Sequence, residues 1–430
     1  MKSLYIFLLA QLALVAGLIV LLGLAPRPLP TGLVHWDAHW YDSIRAQGYF
    51  FRPDAKSSVA FFPLFPLLWR VSHLPSIGIC LLNLLLAAGA AYWLRQALQL
   101  RPAALLLFAA LPSCLFLYLP YTEALFFAFT TLVLVLLARR PQALGLIALA
   151  LYGTALTRVS AFFLLPALVA VEGLGWLREP ATWLPRLRRL LVYGLAVGAG
   201  LVTVLCYQWY QTGVWFAFNK AEEQWHHHLQ LPHLPFISTT DNDGALWLDG
   251  LGLLVGLVAL GWLAYLAGRA LRQRTQAPAP DWLLVLAATY VAEVTVQVVM
   301  QAPVEAGYSS LMSLNRYVFC SPFFLIILDR VLPQRPLGWR PVLLALAVVV
   351  ALAALLGMFG TREFEINWPA RYLLNLWGTI AGPTYAAGVL LYCLLWLRSG
   401  TRLGRALVYA SSLALQLFYF YSFAAGHWVG

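Results

Sequence analysis

The chain has little charge: of its 430 residues only 10% are Asp, Glu, Lys or Arg, while 62% are hydrophobic. A soluble domain carries about 25% charged residues. A chain with so few cannot cover its apolar surface in water, which excludes a soluble globular fold. Strands alternating polar and apolar over ~10 residues, the mark of a membrane β-barrel, are missing as well. The five cysteines sit in apolar runs without metal-like spacing. They read as buried free thiols, and no disulfide framework follows. No Asn-x-Ser/Thr sequon occurs, so there is no glycosylation handle. A glycine-rich phosphate loop is also lacking, which argues against a nucleotide-linked substrate used on the cytoplasmic side.

What the chain does have is continuous apolar runs of ~15–24 residues, the length of membrane-spanning helices. About thirteen are expected, over 4–24, 77–94, 103–119, 121–138, 142–156, 161–177, 190–210, 246–268, 281–303, 314–332, 341–359, 373–397 and 405–425. The first follows Lys2 without a small-residue cleavage site and reads as a retained helix. With Lys2 cytoplasmic and the spans alternating, most arginines fall in short inner connections, as the positive-inside rule requires. The basic excess of 28 Lys and Arg over 17 Asp and Glu is then a topology signal, so nucleic acid is not an expected partner. The fold class expected is an all-α polytopic membrane protein. It forms a single domain over 1–430, with a motif-bearing core at 1–332 and C-terminal helices at 333–430. The absent sequon and compact loops favour a bacterial inner membrane over the endoplasmic reticulum.

The long connections, 25–76 and 211–245, both fall outside and hold most of the His, Asp and Glu. The densest polar stretch is His35-Trp36-Asp37-Ala38-His39-Trp40-Tyr41-Asp42, closing at Gly48-Tyr49. Asp37 reads as a general base: a carboxylate can take the proton of a sugar hydroxyl as that hydroxyl bonds to an electrophilic sugar carbon. Trp36, Trp40 and Tyr41 supply flat faces for sugar rings, with His39, Glu123, Trp225 and His226 as further sugar or acceptor contacts. Arg316 and Arg158, helped by Lys220, read as a phosphate clamp, since a planar guanidinium binds phosphate oxygens bidentately. The alternatives for the two arginines are snorkelling to headgroups or an ion pair with Glu123 or Glu293. Asp42 reads as structural. His35 and His39 have the i, i+4 spacing of a helical metal site, yet hydrogen bonding to substrate is the preferred role; no metal or other cofactor is expected, with a divalent ion as the alternative. The segment Phe61-Phe62-Pro63-Leu64-Phe65-Pro66-Leu67-Leu68 is too short to span and is expected to lie at the membrane interface.

In this order, Trp36-Asp37-x-x-Trp40-Tyr41, Gly48-Tyr49, Phe61 to Leu67, Pro120-Tyr121-Thr122-Glu123, Thr157-Arg158, Thr212-Gly213 with Trp225, and Leu314-Asn315-Arg316-Tyr317 resemble the PIG-V family. That family comprises GPI mannosyltransferase II and its bacterial relatives, within the C-type superfamily of integral-membrane glycosyltransferases. The resemblance covers residues 36–317. It implies that superfamily's architecture, with interfacial helices in the first outer loop and the site on the outer face. It also implies an inverting transfer of a hexose, typically mannose, from a polyprenyl- or dolichyl-phosphate donor to a lipid- or glycan-linked acceptor. The family's catalytic Asp falls on Asp37. A transporter or flippase for lipid-linked sugars is the alternative function.

Overall fold

The computed structural model describes residues 2–24, 32–225, 228–234, 236, 246–273, 280–305, 308–335, 337–355, 394, 396–397 and 399–429. Its helices, in chain order, are α1 (Lys2–Leu24), α2 (Asp37–Gln47), α3 (Leu64–Ser72), α4 (Ser76–Leu98), α5 (Pro102–Ala109), α6 (Glu123–Arg139), α7 (Leu144–Ala155), α8 (Leu164–Arg178), α9 (Trp183–Thr212), α10 (Ala217–Gln224), α11 (Leu246–Gln273), α12 (Trp282–Met300), α13 (Leu314–Phe319), α14 (Pro322–Val331), α15 (Trp339–Leu355) and α16 (Arg402–Ala424). The strands described are β1 (Val304–Glu305) and β2 (Tyr308–Ser309), an antiparallel pair of two residues each. Among the described residues, 7 helical stretches are long and apolar enough to cross a membrane. The protein is an all-α, multi-pass membrane protein.

The expected spans differ from the helices in two informative places. The run 103–119 is not one helix: α5 stops at Ala109, and a 3-10 turn follows over Pro112–Leu117. Proline disfavours helical geometry in the residue before it, and Leu111 is accordingly extended (φ −57°, ψ 139°). The run 314–332 divides in the same way at Ser321 (φ −115°, ψ 148°), ahead of Pro322. In addition, 142–156 yields the 12-residue α7, about 18 Å long and shorter than a hydrocarbon core of ~30 Å. The expected span 373–397 lies almost wholly outside the described residues, as does the end of 341–359.

A broken helix inside a bilayer leaves carbonyls that water cannot reach, so protein must satisfy them. Here long polar side chains do so. The Gln416 amide of α16 donates to the carbonyls of Ala109 (2.9 Å) and Leu111 (2.8 Å), and the Gln11 amide of α1 donates to Ala109 as well (2.6 Å). Asn83 of α4 donates to the carbonyls of Leu119 (2.5 Å) and Tyr121 (3.1 Å). The break is thereby bound to α1, α4 and α16.

Close helix approach depends on small residues, as expected where hydrophobic contrast with lipid gives no drive. A side chain added at Gly200 of α9 would meet Ala155 Cβ of α7 at 2.6 Å, and one at Gly256 of α11 would collide with Thr295 of α12. At one end of the bundle, acids and arginines pair: Glu172 with Arg186 (3.0 Å) and Arg189 (2.6 Å), Asp329 with Arg101 (3.2 Å), and Asp281 with Arg330 (2.6 Å). The other end carries α2, α3, α10, the β1–β2 hairpin and the site.

Candidate active site

Asp37 opens α2, where its charge faces the positive end of the helix dipole. The turn into α2 is tight. Trp36 has φ 54°, ψ −122°, a positive φ that a non-glycine residue adopts only when its surroundings enforce it. Backbone bonds from Ala38 to the His35 carbonyl and from His39 to the Trp36 carbonyl (3.0 Å each) hold the turn. Tyr121 Oη donates to the His35 carbonyl from below (3.3 Å). At the far end of α2, Gly48 has φ 84° and sits so near α9 that an added Cβ would lie 2.8 Å from Gln211 Oε1. That same oxygen accepts from Tyr49 N at 2.6 Å, and Tyr49 Oη donates to the Phe61 carbonyl at 2.7 Å. Gly48-Tyr49 is thus a clamp that fixes α2 against α9 and the Phe61 segment. That segment forms a loop and the short α3, whose Phe65 and Trp69 are buried beneath α2.

Arg316, buried on α13, reaches Asp37: Nη2 donates to Asp37 Oδ2 at 2.8 Å while Nε donates to Glu123 Oε1 at 2.9 Å. Arg158 Nη1 meets the same Glu123 oxygen at 3.0 Å. Four charged groups therefore form one chain, Asp37–Arg316–Glu123–Arg158, drawn from α2, α13, the start of α6 and the turn before α8. Rings enclose the cations. Arg316 Cζ lies 5.0 Å from the Tyr121 ring, 5.2 Å from Phe116 and 5.7 Å from Trp428, and Arg158 Cζ lies 4.5 Å from Tyr317. Arg316 Nη1 is buried and has no hydrogen-bond partner among the described residues.

Asp37 and Arg316 stand in the wall of a cavity of about 450 Å³. Phe61, Asn219, Glu222 and Trp225 line one side; Ser160, Gln297, Gln301, Ser310, Ser313 and Tyr317 line the other. The lining is aromatic and rich in amides and hydroxyls. Trp225 Nε1, buried and without a partner among the described residues, adds a donor to that wall.

The other expected site residues spread out from this point. Trp40 stacks on Phe61 (5.8 Å, 16°) and meets Trp225 edge-on (5.9 Å). Tyr41 is buried against Phe61, Phe65 and Tyr121 and supports the site from behind. Burial, with the charges of Asp37 and Glu123, pushes its hydroxyl above the usual tyrosine value, so it stays protonated. Trp36 is exposed, edge-on to Trp428 at 5.4 Å. His39 is exposed beside Trp40. Glu123 and Arg158 lie behind the cavity, and Lys220 is exposed on α10; none of these three lines it. Among the described residues, the basic side chain in the wall is Arg316 alone. His226 lies outside the described residues, and among the described ones no three His, Cys, Asp or Glu side chains gather as a metal site would require.

Two contributions went unseen in the sequence. The segment after α16 folds back so that Trp428 faces both Arg316 and Trp36, while Phe423 packs on His35 (5.7 Å) and Tyr121 (5.9 Å). The loop 310–313 carries Ser310 and Ser313 into the wall. A lone Trp and isolated serines carry no spacing signal. Burial also holds the His35 imidazole below its ordinary value, against hydrogen bonds with the backbone at Ala424 and Gly32.

Comparison with protein-family models, with curated proteins and with solved structures finds no match for this chain.

Proposed function

We propose that the protein is an inverting glycosyltransferase of the PIG-V type. It moves a hexose, mannose by the motif resemblance, from a polyprenyl- or dolichyl-phosphate carrier to a lipid- or glycan-linked acceptor on the outer face of a membrane. The observation that carries this is the contact of Asp37 with Arg316, 2.8 Å apart in the wall of one shared cavity. The guanidinium holds the base candidate. An incoming donor phosphate competes for the same N–H groups and leaves Asp37 free to face the acceptor.

Transfer then balances in one displacement. The acceptor oxygen bonds to the anomeric carbon as the bond from that carbon to the phosphate oxygen breaks, and the hydroxyl proton passes to Asp37. The carrier leaves as a phosphate monoester, whose growing negative charge is met by Arg316. Glu123, fixed behind that guanidinium, keeps it aimed before the charge develops, which is how a preorganised site lowers a barrier. Phe61 and Trp225 offer rings to a sugar, with Trp40 stacked behind Phe61, and the amide and hydroxyl side chains opposite offer partners to its hydroxyls.

The test uses the full-length chain in liposomes with synthetic polyprenyl-phosphate mannose and a lipid extract as acceptor, the product being read by mass spectrometry. Wild type should yield a mannosylated lipid, and Asp37→Asn should retain donor binding with transfer reduced by about 10²–10⁴-fold. Transfer by Asp37→Asn near the wild-type rate would remove Asp37 as base. Movement of intact donor between leaflets without product would mean a transporter.

A further inference from the structure

A second cavity, of about 330 Å³, lies between α1 and α4 and shares no lining residue with the Asp37 cavity. Tyr5, Leu8, Leu9 and Leu12 line it from α1, and Ala87, Ala88, Ala91 and Tyr92 from α4, with α5 at its floor. From Leu12 to Tyr5 it runs about two helical turns, roughly 10 Å. The alanines are what open it: larger side chains on that face of α4 would fill the space. Apolar walls gain dispersion contacts from whatever lies between them, and in a bilayer the material at hand is an acyl chain.

A cation stands just outside the slot's lining, against its Tyr5. Arg95 follows Ala88 and Ala91 at the i+7 and i+4 positions, on the same face of α4. It stands one turn beyond Tyr92, toward the end of the bundle where arginines gather. Its guanidinium lies over the Tyr5 ring at 5.4 Å, and its Nε is buried with no hydrogen-bond partner among the described residues. Its neighbours are committed elsewhere: Arg101 to Asp329 and the Leu332 carbonyl, and Arg139 to the Ala97 carbonyl at the end of α4. Arg95 makes no ion pair among the described residues. A half-buried guanidinium at the end of a spanning helix, in a pocket between helices at headgroup depth, suits an anionic lipid.

We infer that the α1–α4 slot binds an anionic phospholipid of the bilayer, one acyl chain between Tyr5–Leu12 and Ala87–Tyr92 and the phosphate on Arg95. This does not depend on the transferase proposal. The lipid would lie against α1, where Leu9, in the wall of the slot, is 65% exposed.

The full-length protein in detergent is equilibrated with equal amounts of phosphatidylglycerol and phosphatidylcholine of matched chains, and bound lipid is counted by native mass spectrometry. Wild type should retain phosphatidylglycerol in preference. Arg95→Gln should lower that preference about fivefold, the effect of one basic residue at a lipid surface. Arg340→Gln, which removes an exposed charge elsewhere on the same end, should leave it unchanged. Ala88→Phe, which fills the slot, should reduce retention of both lipids. Equal retention of the two lipids by wild type, an undiminished preference in Arg95→Gln, or full retention by a folded Ala88→Phe would each overturn the assignment. If Ala88→Phe fails to fold, Arg95→Gln decides alone.

Discussion

Glu123 holds two buried arginines with one oxygen, at 2.9 and 3.0 Å, and is itself 1% exposed. Replacing it by Gln removes the single counter-charge that the two guanidinium groups share. Breaking a buried ionic network from one side costs about 3–5 kcal/mol. Glu123→Gln should therefore unfold at a clearly lower temperature in detergent, and lose transfer together with donor binding, because Arg316 would no longer be aimed. A second expectation concerns pH. The folded protein keeps His35 below the ordinary value of ~6.5, so the unfolded chain takes up the proton first. Stability is then full above about pH 6.5 and falls as pH drops from there through the lower folded value. Thermal scans across pH 5 to 8 should show this loss in wild type and a flatter profile in His35→Gln. At this scale the sequence was informative about what, and less so about where. Asp37, Arg316 and Trp225 stood out as charges or rings in polar clusters, and all three meet at the cavity. Arg158 and Lys220 stood out equally. A one-dimensional pattern does not tell a guanidinium aimed at a cavity from one aimed at a buried carboxylate: both arginines make the ion pair with Glu123 that was the alternative for each, and Arg316 reaches the cavity besides.

The elements were legible where apolar runs were uninterrupted. Helices α1, α4, α9, α11, α12 and α16 match their expected ranges to within several residues. The run 103–119 misled because its composition is that of a span while its path is set by Pro112. A break of this kind exists only because distant side chains accept its cost, and those partners, Gln11 and Gln416, lie at opposite ends of the chain. Gln416→Leu should accordingly take the side-chain donor from the Leu111 carbonyl, which keeps the Cys114 N–H, and one donor from the Ala109 carbonyl, which keeps Gln11, and destabilise the protein by about 1 kcal/mol, read as a lower unfolding temperature; unchanged stability would mean that the carbonyls find other donors. Gly256→Val tests the other device, close approach. The added side chain collides with Thr295, and overpacking of this kind costs about 1–3 kcal/mol, seen again by thermal unfolding. The contribution of Phe423 and Trp428 was illegible for the opposite reason, since single aromatics in an apolar helix and its tail look like ordinary packing.

On the scale of the whole molecule, the two ends of the bundle differ in kind. One end gathers Arg95, Arg101, Arg139, Arg186, Arg189 and Arg330, largely tied to acids or carbonyls. The other holds the Asp37 cavity among aromatic rings. The positive-inside rule assigns the arginine-rich end to the cytoplasm, and the proposed donor requires that assignment, because nothing in the cavity resembles a nucleotide-phosphate loop. The expectation can be checked with single cysteines in a cysteine-free background. Lys220→Cys, exposed on α10 at the cavity end, should react with a membrane-impermeant maleimide in intact cells; Arg335→Cys, exposed after α14 at the arginine-rich end, should react only after permeabilisation. The reverse pattern would put the cavity in the cytoplasm, where sugars are carried chiefly on nucleotides, and a polyprenyl-phosphate donor would lose its rationale even with Asp37 and Arg316 in place.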